Sequence, residues 1–170
     1  MTIEELRRRL SQIEWRDIEF KRAQREVPRN AYETVSAFAN TAGGHLLFGV
    51  EEADGRFEIV GVLEPDKVQS DFLSVLRTGD VVSCIISAEE SRMADEGKVV
   101  LAFFIPEVRR ELKPVHLNRD LRRAFIRRGG GDERCNEEEL KRFIRDADQR
   151  SSTASPSTNS IRVCASTPKV

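Results

Sequence analysis

The basic residues between positions 109 and 128 are the clearest chemical feature of the sequence. This segment contains eight Lys or Arg and two Asp or Glu, a local balance of +6 in a chain whose net charge is -1. We call these eight residues the basic strip: Arg109, Arg110, Lys113, Arg119, Arg122, Arg123, Arg127 and Arg128. Guanidinium and ammonium groups pair with phosphate oxygens, so the strip could line a groove for a phosphate backbone.

The same residues also have a structural interpretation. Lys and Arg on a solvated loop or a strand edge discourage association between sheets. We favour phosphate binding because the positive charge is concentrated in one segment. Arginine also stacks on bases, which favours RNA over DNA. With 6% aromatic residues, the chain offers few stacking platforms and gives no basis for the readout of particular bases.

The glycine clusters are better explained by chain turns than by phosphate binding. Neither Gly43-Gly44 nor the run 129–131 is followed by Lys and then Ser or Thr, so the sequence has no P-loop. A helix end and a hairpin turn account for the two clusters. A regulator that binds ATP is one of three functional classes considered for this sequence. The absence of a phosphate-binding loop makes it the weakest of the three.

The histidines and cysteines do not suggest a site. His45 and His116 have no partner at the spacing of a metal centre or a catalytic triad. The three cysteines include no Cys-x-x-Cys pair, so no structural zinc is predicted. The sequence has no apolar stretch of membrane-spanning length, and its charged N-terminus lacks a signal-peptide core. We therefore expect a cytoplasmic protein with no membrane partner.

The spacing of apolar residues predicts the elements that would position these side chains. Helices are predicted from Thr2 to about Leu10, from Pro28, from Asp66 and from Asn136; strands are predicted at 14–22, 45–50, 57–62, 81–87, 98–105, 115–117 and 124–126. The polar run 89–97 is predicted to be a solvated hairpin tip. The fold expected is α+β: one mixed, mainly antiparallel sheet with packed helices, in a single domain over 1–148. Residues 149–170 are rich in Ser, Thr and Pro, which predicts a disordered tail.

The segment from Ser36 to Glu51 is predicted to contain the end of one helix and the inner strand that follows it. Its apolar residues repeat at helical spacing up to Ala39, and Gly43-Gly44 supplies the left-handed backbone that ends a helix. The run 45–50 is then a short inner strand. Glu51, Glu52 and Asp54 follow it, so three carboxylates are expected near the C-terminal end of this strand.

Three separated motifs resemble the Schlafen-type AlbA-like domain, a nucleic-acid-binding domain that is also found in bacterial regulators. The first is Ala37-Phe-Ala-Asn-Thr-Ala-Gly-Gly44, followed by Gly49-Val50 and acidic residues. The second is Glu14, four residues, then Glu19-Phe-Lys21. The third is Ala124-Phe-Ile-Arg-Arg-Gly-Gly130, followed by Asn136-Glu-Glu-Glu-Leu140. The resemblance covers residues 1 to 148 in the family's usual order.

Some Schlafen proteins are metal-dependent RNases whose site has three carboxylates and a lysine. By position, the resemblance implies Glu14, Glu19 and Glu52 as the acids and Lys21 as the lysine, although the third acid is usually Asp. Such carboxylates suit Mg²⁺ or Mn²⁺, which polarises a phosphate and lowers the pKa of an attacking water. A nearby lysine can neutralise charge that develops in the transition state. The implied activity is that of an endoribonuclease acting on structured RNA such as transfer RNA.

Two alternatives stay open for these residues. The acids could be ordinary surface residues, with Lys21 paired to Glu19 across one face of a strand. Glu14 lies five residues before Glu19, so the two point to opposite faces unless Glu14 precedes the strand or a bulge intervenes.

Alternatives also stay open for the protein as a whole. A non-catalytic DNA-binding or regulatory module is the second functional hypothesis. Schlafen nucleases close two related lobes around RNA, whereas this sequence has one lobe. The resemblance therefore leads us to expect a homodimer.

Overall fold

The computed structural model describes residues 2–10, 17–53 and 56–148. Its helices are α1 Ile3–Leu10, α2 Ala31–Asn40, α3 Pro65–Thr78 and α4 Glu137–Asp148, with a short 3₁₀ helix at Arg110–Leu112. Its strands are β1 Ile18–Lys21, β2 Gly44–Phe48, β3 Val50–Ala53, β4 Arg56–Ile59, β5 Glu89–Asp95, β6 Lys98–Ile105, β7 His116–Leu117, β8 Asp120–Arg128 and β9 Gly131–Arg134. Helices packed on mixed, mainly antiparallel sheets make this an α+β fold, as the sequence predicted.

The strands form three sheets rather than one. The largest has the order β1-β2-β6-β5, in which β1 is parallel to β2 and the other pairs are antiparallel. Strands β3 and β4 form a separate hairpin, and β7, β8 and β9 form an antiparallel sheet. The prediction of a single sheet was therefore wrong. The chain changes direction between β2 and β3 at Gly49, where φ is +94°, and β3 then pairs with β4.

Both faces of the four-stranded sheet are covered. Phe38, Phe48, Phe72 and Phe103 are fully buried on the face under α2 and α3. The opposite face packs against α1 through a second cluster that includes Leu6, Ile18, Leu47 and Val100. Because β2 and β6 are buried on both sides, they appear in the sequence as continuous apolar runs rather than as alternating patterns.

A network of buried hydrogen bonds joins α2 to the sheet of β7, β8 and β9. The Asn40 side chain is 3% exposed, and its Nδ2 donates to the carbonyl oxygens of Val115 at 2.9 Å and Phe125 at 2.8 Å. The Val115 N–H donates back to Asn40 Oδ1 at 2.7 Å. Ser36 Oγ also donates to the Val115 carbonyl and accepts the Phe125 N–H. These buried groups are satisfied only when the helix and the sheet are docked together.

The prediction that Gly43-Gly44 ends α2 is confirmed. The Gly43 N–H donates to the Phe38 carbonyl at 3.0 Å, and Gly43 has the left-handed φ of +76° expected at a helix end. A Cβ on Gly44 would lie 2.4 Å from Cε1 of Phe38. Gly44 is therefore required because the Phe38 ring packs against its backbone.

Several other predictions are confirmed. The Glu5 N–H donates to Thr2 Oγ1 at the start of α1. Strand β6 occupies the predicted residues 98–105 at an inner position of its sheet. Asn136 and Glu139 exchange backbone-to-side-chain hydrogen bonds of 2.9 Å, which is the capping box predicted for α4.

The segment between α3 and β6 was predicted incorrectly. The apolar run 81–87 forms a loop with one isolated bridge, from Val82 to Leu117, instead of a strand. The polar run that follows is strand β5, the outer strand of its sheet. An outer strand exposes much of its surface to water, so its sequence resembles a loop, whereas Val82 and Ile86 are buried without forming a ladder.

Several predicted boundaries were also displaced. Helix α2 begins at Ala31 rather than Pro28, and Glu64 rather than Asp66 occupies the cap position of α3. Strand β8 extends well beyond the predicted 124–126. The sequence predicts an apolar face of Leu140, Phe143 and Ile144 on α4, but Ile144 is 42% exposed. The pair Asp54-Gly55, for which the sequence predicts a tight hairpin turn, and the predicted tail at 149–170 lie outside the described residues. Within the described ranges, no helix has the length and apolar character needed to cross a membrane.

Candidate nucleic-acid interface

Strand β1 presents Glu19 and Lys21 on one face. These residues alternate with Ile18, which is buried, and Phe20, which packs on the α1 side of the sheet. Lys21 Nζ lies 2.8 Å from Glu19 Oε1, and both side chains are mostly buried. The structure therefore contains the same-face ion pair that the sequence analysis left open as a structural alternative.

Arg127 enters this site from β8. Its Nη1 lies 2.8 Å from Glu19 Oε2 and 2.7 Å from Asp132 Oδ1, and its Nη2 donates to the Ile18 carbonyl at 2.8 Å. The guanidinium lies 5.1 Å from the centre of the Phe38 ring, and the side chain is only 5% exposed. A planar group with several donors suits this position because it can bridge two acids and stack on a ring.

Asp132 and Thr34 complete the set, which we call the Arg127 cluster: Glu19, Lys21, Thr34, Arg127 and Asp132. Asp132 lies opposite Arg127 in the β8–β9 hairpin, and Thr34 Oγ1 on α2 donates to Asp132 Oδ2 at 2.6 Å. The sequence analysis did not select Asp132 or Thr34. The two-residue turn at 129–130 could have identified Asp132, since it pairs positions 127 and 132 across the hairpin.

The other predicted acids lie elsewhere. Glu52 is exposed on β3 opposite Phe57, and its neighbour Glu51 pairs with Arg22 Nε at 3.2 Å. Glu14 lies outside the described residues. Among residues 2–10, 17–53 and 56–148, no three Asp, Glu, His or Cys side chains are grouped closely enough to hold a metal ion.

The charges of the Arg127 cluster are balanced. Two carboxylates, Glu19 and Asp132, face two cations, Lys21 and Arg127, and each Glu19 oxygen contacts one of the cations. A divalent cation at Glu19 would therefore compete with Lys21 and Arg127 for the same oxygens. The described residues by themselves do not fit a Mg²⁺ or Mn²⁺ site.

The basic strip is divided between two faces of β8. Phe125 points toward α2, while Ala124 and Ile126 point toward α4. Because side chains alternate along a strand, Arg123 and Arg127 lie on the α2 side.

Acidic residues neutralise half of the strip. Arg123 Nη2 lies 3.9 Å from Glu33 Oε1, and Lys113 Nζ lies 2.5 Å from Glu107 Oε1. Arg128 pairs with Glu133 at 3.0 Å and also with Glu139. Together with Arg127, these residues are the four members of the basic strip that already form an ion pair with a carboxylate.

The other four residues of the strip are exposed: Arg109, Arg110, Arg119 and Arg122. None of them forms an ion pair with an acid of the described ranges. Asn118 and Arg119 both have positive φ, 54° and 58°, as expected for a two-residue hairpin turn between β7 and β8. Arg119 therefore lies at the tip of that hairpin.

A surface cavity of about 380 Å³ lies between the 3₁₀ helix and α4. It is lined by Glu107, Arg110, Lys113, Arg142, Phe143 and Asp146. The sequence analysis missed Arg142, because it lies on α4, outside the basic strip. Its guanidinium lies 5.8 Å from the centre of the Phe143 ring. Helix packing thus adds a cation that linear charge counting could not assign to this surface.

Comparison with protein families identifies the domain. The family model described as Schlafen, AlbA_2 matches residues 14–136. This protein belongs to the Schlafen AlbA_2 family. The matched range contains the whole Arg127 cluster, whereas α4 and therefore Arg142 lie beyond it.

One solved structure supports the same fold. The solution NMR structure of the N-terminal domain of a RecG-related protein from Nitrosomonas europaea is 32% identical to this AlbA_2 chain, with a TM-score of 0.56. The similarity covers 78% of this chain and 90% of the other. The DIP2311 protein from Corynebacterium diphtheriae also matches, at 20% identity and a TM-score of 0.48, over 76% of this chain and 23% of its own. Among curated proteins, none matches this chain.

Proposed function

We propose that this protein binds nucleic acid, with RNA preferred over DNA, through the exposed arginines of the basic strip and the cavity beside α4. The AlbA_2 family suggests a nucleic-acid-related domain, and the N. europaea protein is named as related to the DNA helicase RecG. The observation that carries the proposal is the cavity that Arg110 and Arg142 both line. Lys113 is held by Glu107 there, so the two arginines are the cations best able to meet a phosphate.

The ion pairs also indicate which residues contribute less. Arg127 is 5% exposed and bridges two acids, so a phosphate could reach it only by displacing Glu19 or Asp132. Arg123 and Arg128 are more accessible but lie beside acids. We therefore assign phosphate contact to Arg109, Arg110, Arg119, Arg122 and Arg142.

The experiment that tests this proposal is a binding titration followed by fluorescence anisotropy. Labelled transfer RNA, single-stranded DNA and duplex DNA would be titrated with wild type and with Arg110→Ala/Arg142→Ala. Arg29→Ala is a suitable control, because Arg29 is also exposed but lies before α2. The proposal predicts weaker binding for the double variant alone. An equal loss in the control, or no binding by wild type, would contradict it.

Metal-dependent endoribonuclease activity on structured RNA is a second proposal, based on the family resemblance. Glu14, Glu19 and Glu52 would be the acids and Lys21 the lysine. In its favour, Glu19 and Lys21 are adjacent on β1, with Nζ and Oε1 2.8 Å apart. It requires Glu14 to supply a ligand, since Glu19 and Glu52 form no metal-holding group with other described residues.

Cleavage of labelled transfer RNA in Mn²⁺, Mg²⁺ or EDTA separates the two proposals. Metal-dependent cleavage that is lost in Glu19→Gln would support the nuclease. Binding without cleavage, unchanged in Glu19→Gln, would support a non-catalytic DNA- or RNA-binding regulatory module. The balanced charges of the Arg127 cluster favour the second outcome.

A further inference from the structure

Strand β5 has an open outer edge. It is the terminal strand of the order β1-β2-β6-β5, and no strand in the described ranges pairs with its other side. Its seven residues form a regular ladder with β6, from Glu89 opposite Phe104 to Asp95 opposite Lys98. A regular strand with unpaired backbone groups can pair with a further strand.

The two faces of β5 differ in chemistry. Met93 is buried with the core residues on the α1 side. Glu90 and Arg92 lie on the opposite side, beside α3, where Arg92 Nη1 is 2.6 Å from Asp66 Oδ1. A groove of about 550 Å³ runs between α3 and β5, and these three charged residues contribute to its lining. Any strand added to β5 would therefore meet alternating negative and positive side chains.

We propose that the added strand is β5 of a second copy of this chain, antiparallel to the first, with the two-fold axis at Ser91. A two-fold axis perpendicular to the sheet keeps each side chain on the same face of the sheet in both copies. Residues that lie opposite each other must then be an even number of positions apart, so the axis passes midway between the two copies of one residue. With the axis at Ser91, Glu90 of each copy lies opposite Arg92 of the other. Two cross-strand ion pairs then form on the face beside α3.

The neighbouring registers are unfavourable. An axis at Arg92 places Arg92 opposite its own copy and Glu89 opposite Asp95. An axis at Glu90 places two Glu90 side chains opposite each other. Like charges directly opposite each other destabilise a sheet, so the charge pattern of β5 favours the Ser91 register over the registers on either side of it, and Ser91 is the one of these three that forms cross-strand ion pairs.

The resulting dimer has a continuous eight-stranded sheet. Its two β1 strands lie at the outer ends, so it does not merge the two Arg127 clusters into one site. None of the arginines assigned to phosphate contact lies on β5. Dimerisation and nucleic-acid binding can therefore be tested separately, and failure of one leaves the other unaffected.

Charge exchange tests the register. In sedimentation equilibrium over a wide range of concentration, wild type should dimerise, and Glu90→Arg and Arg92→Glu should each weaken dimerisation about tenfold or more. An equimolar mixture of the two variants should recover association, because each position 90 then faces an opposite charge at position 92. The double variant Glu90→Arg/Arg92→Glu should also recover it. Circular dichroism would confirm that every variant is folded.

Crosslinking tests the axis. Ser91→Cys should form an intermolecular disulfide on mild oxidation, because residue 91 faces its own copy across the axis. Ala94→Cys is the matched control: it is on the same strand but faces position 88 of the partner, so it should crosslink poorly. A monomeric wild type at every concentration would overturn the proposal. So would a dimer that is insensitive to both charge variants, or one that crosslinks equally through positions 91 and 94.

Discussion

Arg127 Nη1 lies 2.8 Å from Glu19 Oε2, although the two residues are 108 positions apart in the sequence. The contact joins the edge strand of the four-stranded sheet to the middle strand of the three-stranded sheet. Arg127 also contacts Asp132 and stacks over Phe38 on α2. One buried side chain thus connects all three of the motifs that carry the family resemblance.

Removing the Arg127 side chain should destabilise the fold strongly. Arg127→Met leaves Asp132 without its cation and Glu19 with Lys21 alone, so we expect the free energy of unfolding to fall by about 3 kcal/mol. The measurement is urea unfolding followed by circular dichroism. Neutralising the acids as well, in Glu19→Gln/Arg127→Met/Asp132→Asn, should recover part of the loss.

Arg122→Met on the same strand is the matched control for this prediction. Arg122 is exposed, so its replacement should change stability by no more than about 0.5 kcal/mol. Equal effects of Arg122→Met and Arg127→Met would show that the Arg127 cluster does not hold the sheets together.

The contact between Gly44 and Phe38 should limit what position 44 can accept. Gly44→Ala places a methyl group 2.4 Å from a fully buried ring, and we expect a loss of about 3 kcal/mol from overpacking. Adding Phe38→Leu should make the combined loss smaller than the sum of the two single losses. Thermal or urea unfolding of the four proteins gives this comparison.

Gly129→Ala serves as the control for the packing effect. Gly129 has a φ of +56°, but nothing lies within 4 Å of an added Cβ. Its substitution should cost only the left-handed strain of about 1 kcal/mol, and that cost should be additive with Phe38→Leu. Strict additivity for Gly44→Ala as well would rule out the steric explanation.

The thiol of Cys135 should make stability depend on alkaline pH. Burial and, as a smaller cause, the nearby Glu139 carboxylate raise the pKa of the Cys135 thiol from its ordinary value of 9.0 to about 11. The folded state therefore holds the thiol proton more tightly than the unfolded state does. This contribution is fully present below pH 9 and is lost as pH rises from about 9 to 11.

Comparison with Cys135→Ala isolates that contribution from other groups that titrate at high pH. Urea unfolding at several pH values should show wild type losing more stability than the variant between pH 9 and 11. Parallel curves for the two proteins would mean that Cys135 ionises equally easily in both states.

The salt dependence of binding should report the number of phosphate contacts. Each lost contact lowers the slope of log affinity against log salt by roughly 0.7 to 0.9. Arg110→Ala/Arg142→Ala should therefore reduce the slope for transfer RNA by about 1.5 and weaken binding on all sequences similarly. EDTA should leave this binding unchanged, because arginine contacts to phosphate need no metal. A reduced affinity with an unchanged slope would indicate an indirect effect of the substitutions.

The predictions from sequence succeeded where a local signal matched the final environment. The capping box of Asn136 and Glu139 involves residues three apart, and Gly43 ends α2 through its own backbone. The run 98–105 is apolar because both of its faces are buried, so its pattern was enough to identify an inner strand. Strand β5 was missed because an edge strand is selected by its neighbour β6 rather than by its own composition.

The sequence by itself determined the family, the end of α2, the cap of α4, the inner strands and the concentration of positive charge at 109–128. These depend on residue types at short spacing, which the printed chain already contains. Only the tertiary structure decided which of those charges are exposed. Strand alternation and helix packing placed Glu19, Glu33, Glu107 and Glu139 beside four of the eight cations and added Arg142 to the remaining surface. An ion pair depends on the distance between atoms in the folded chain, and residues as far apart as 19 and 127 acquire that distance only when the sheets pack together.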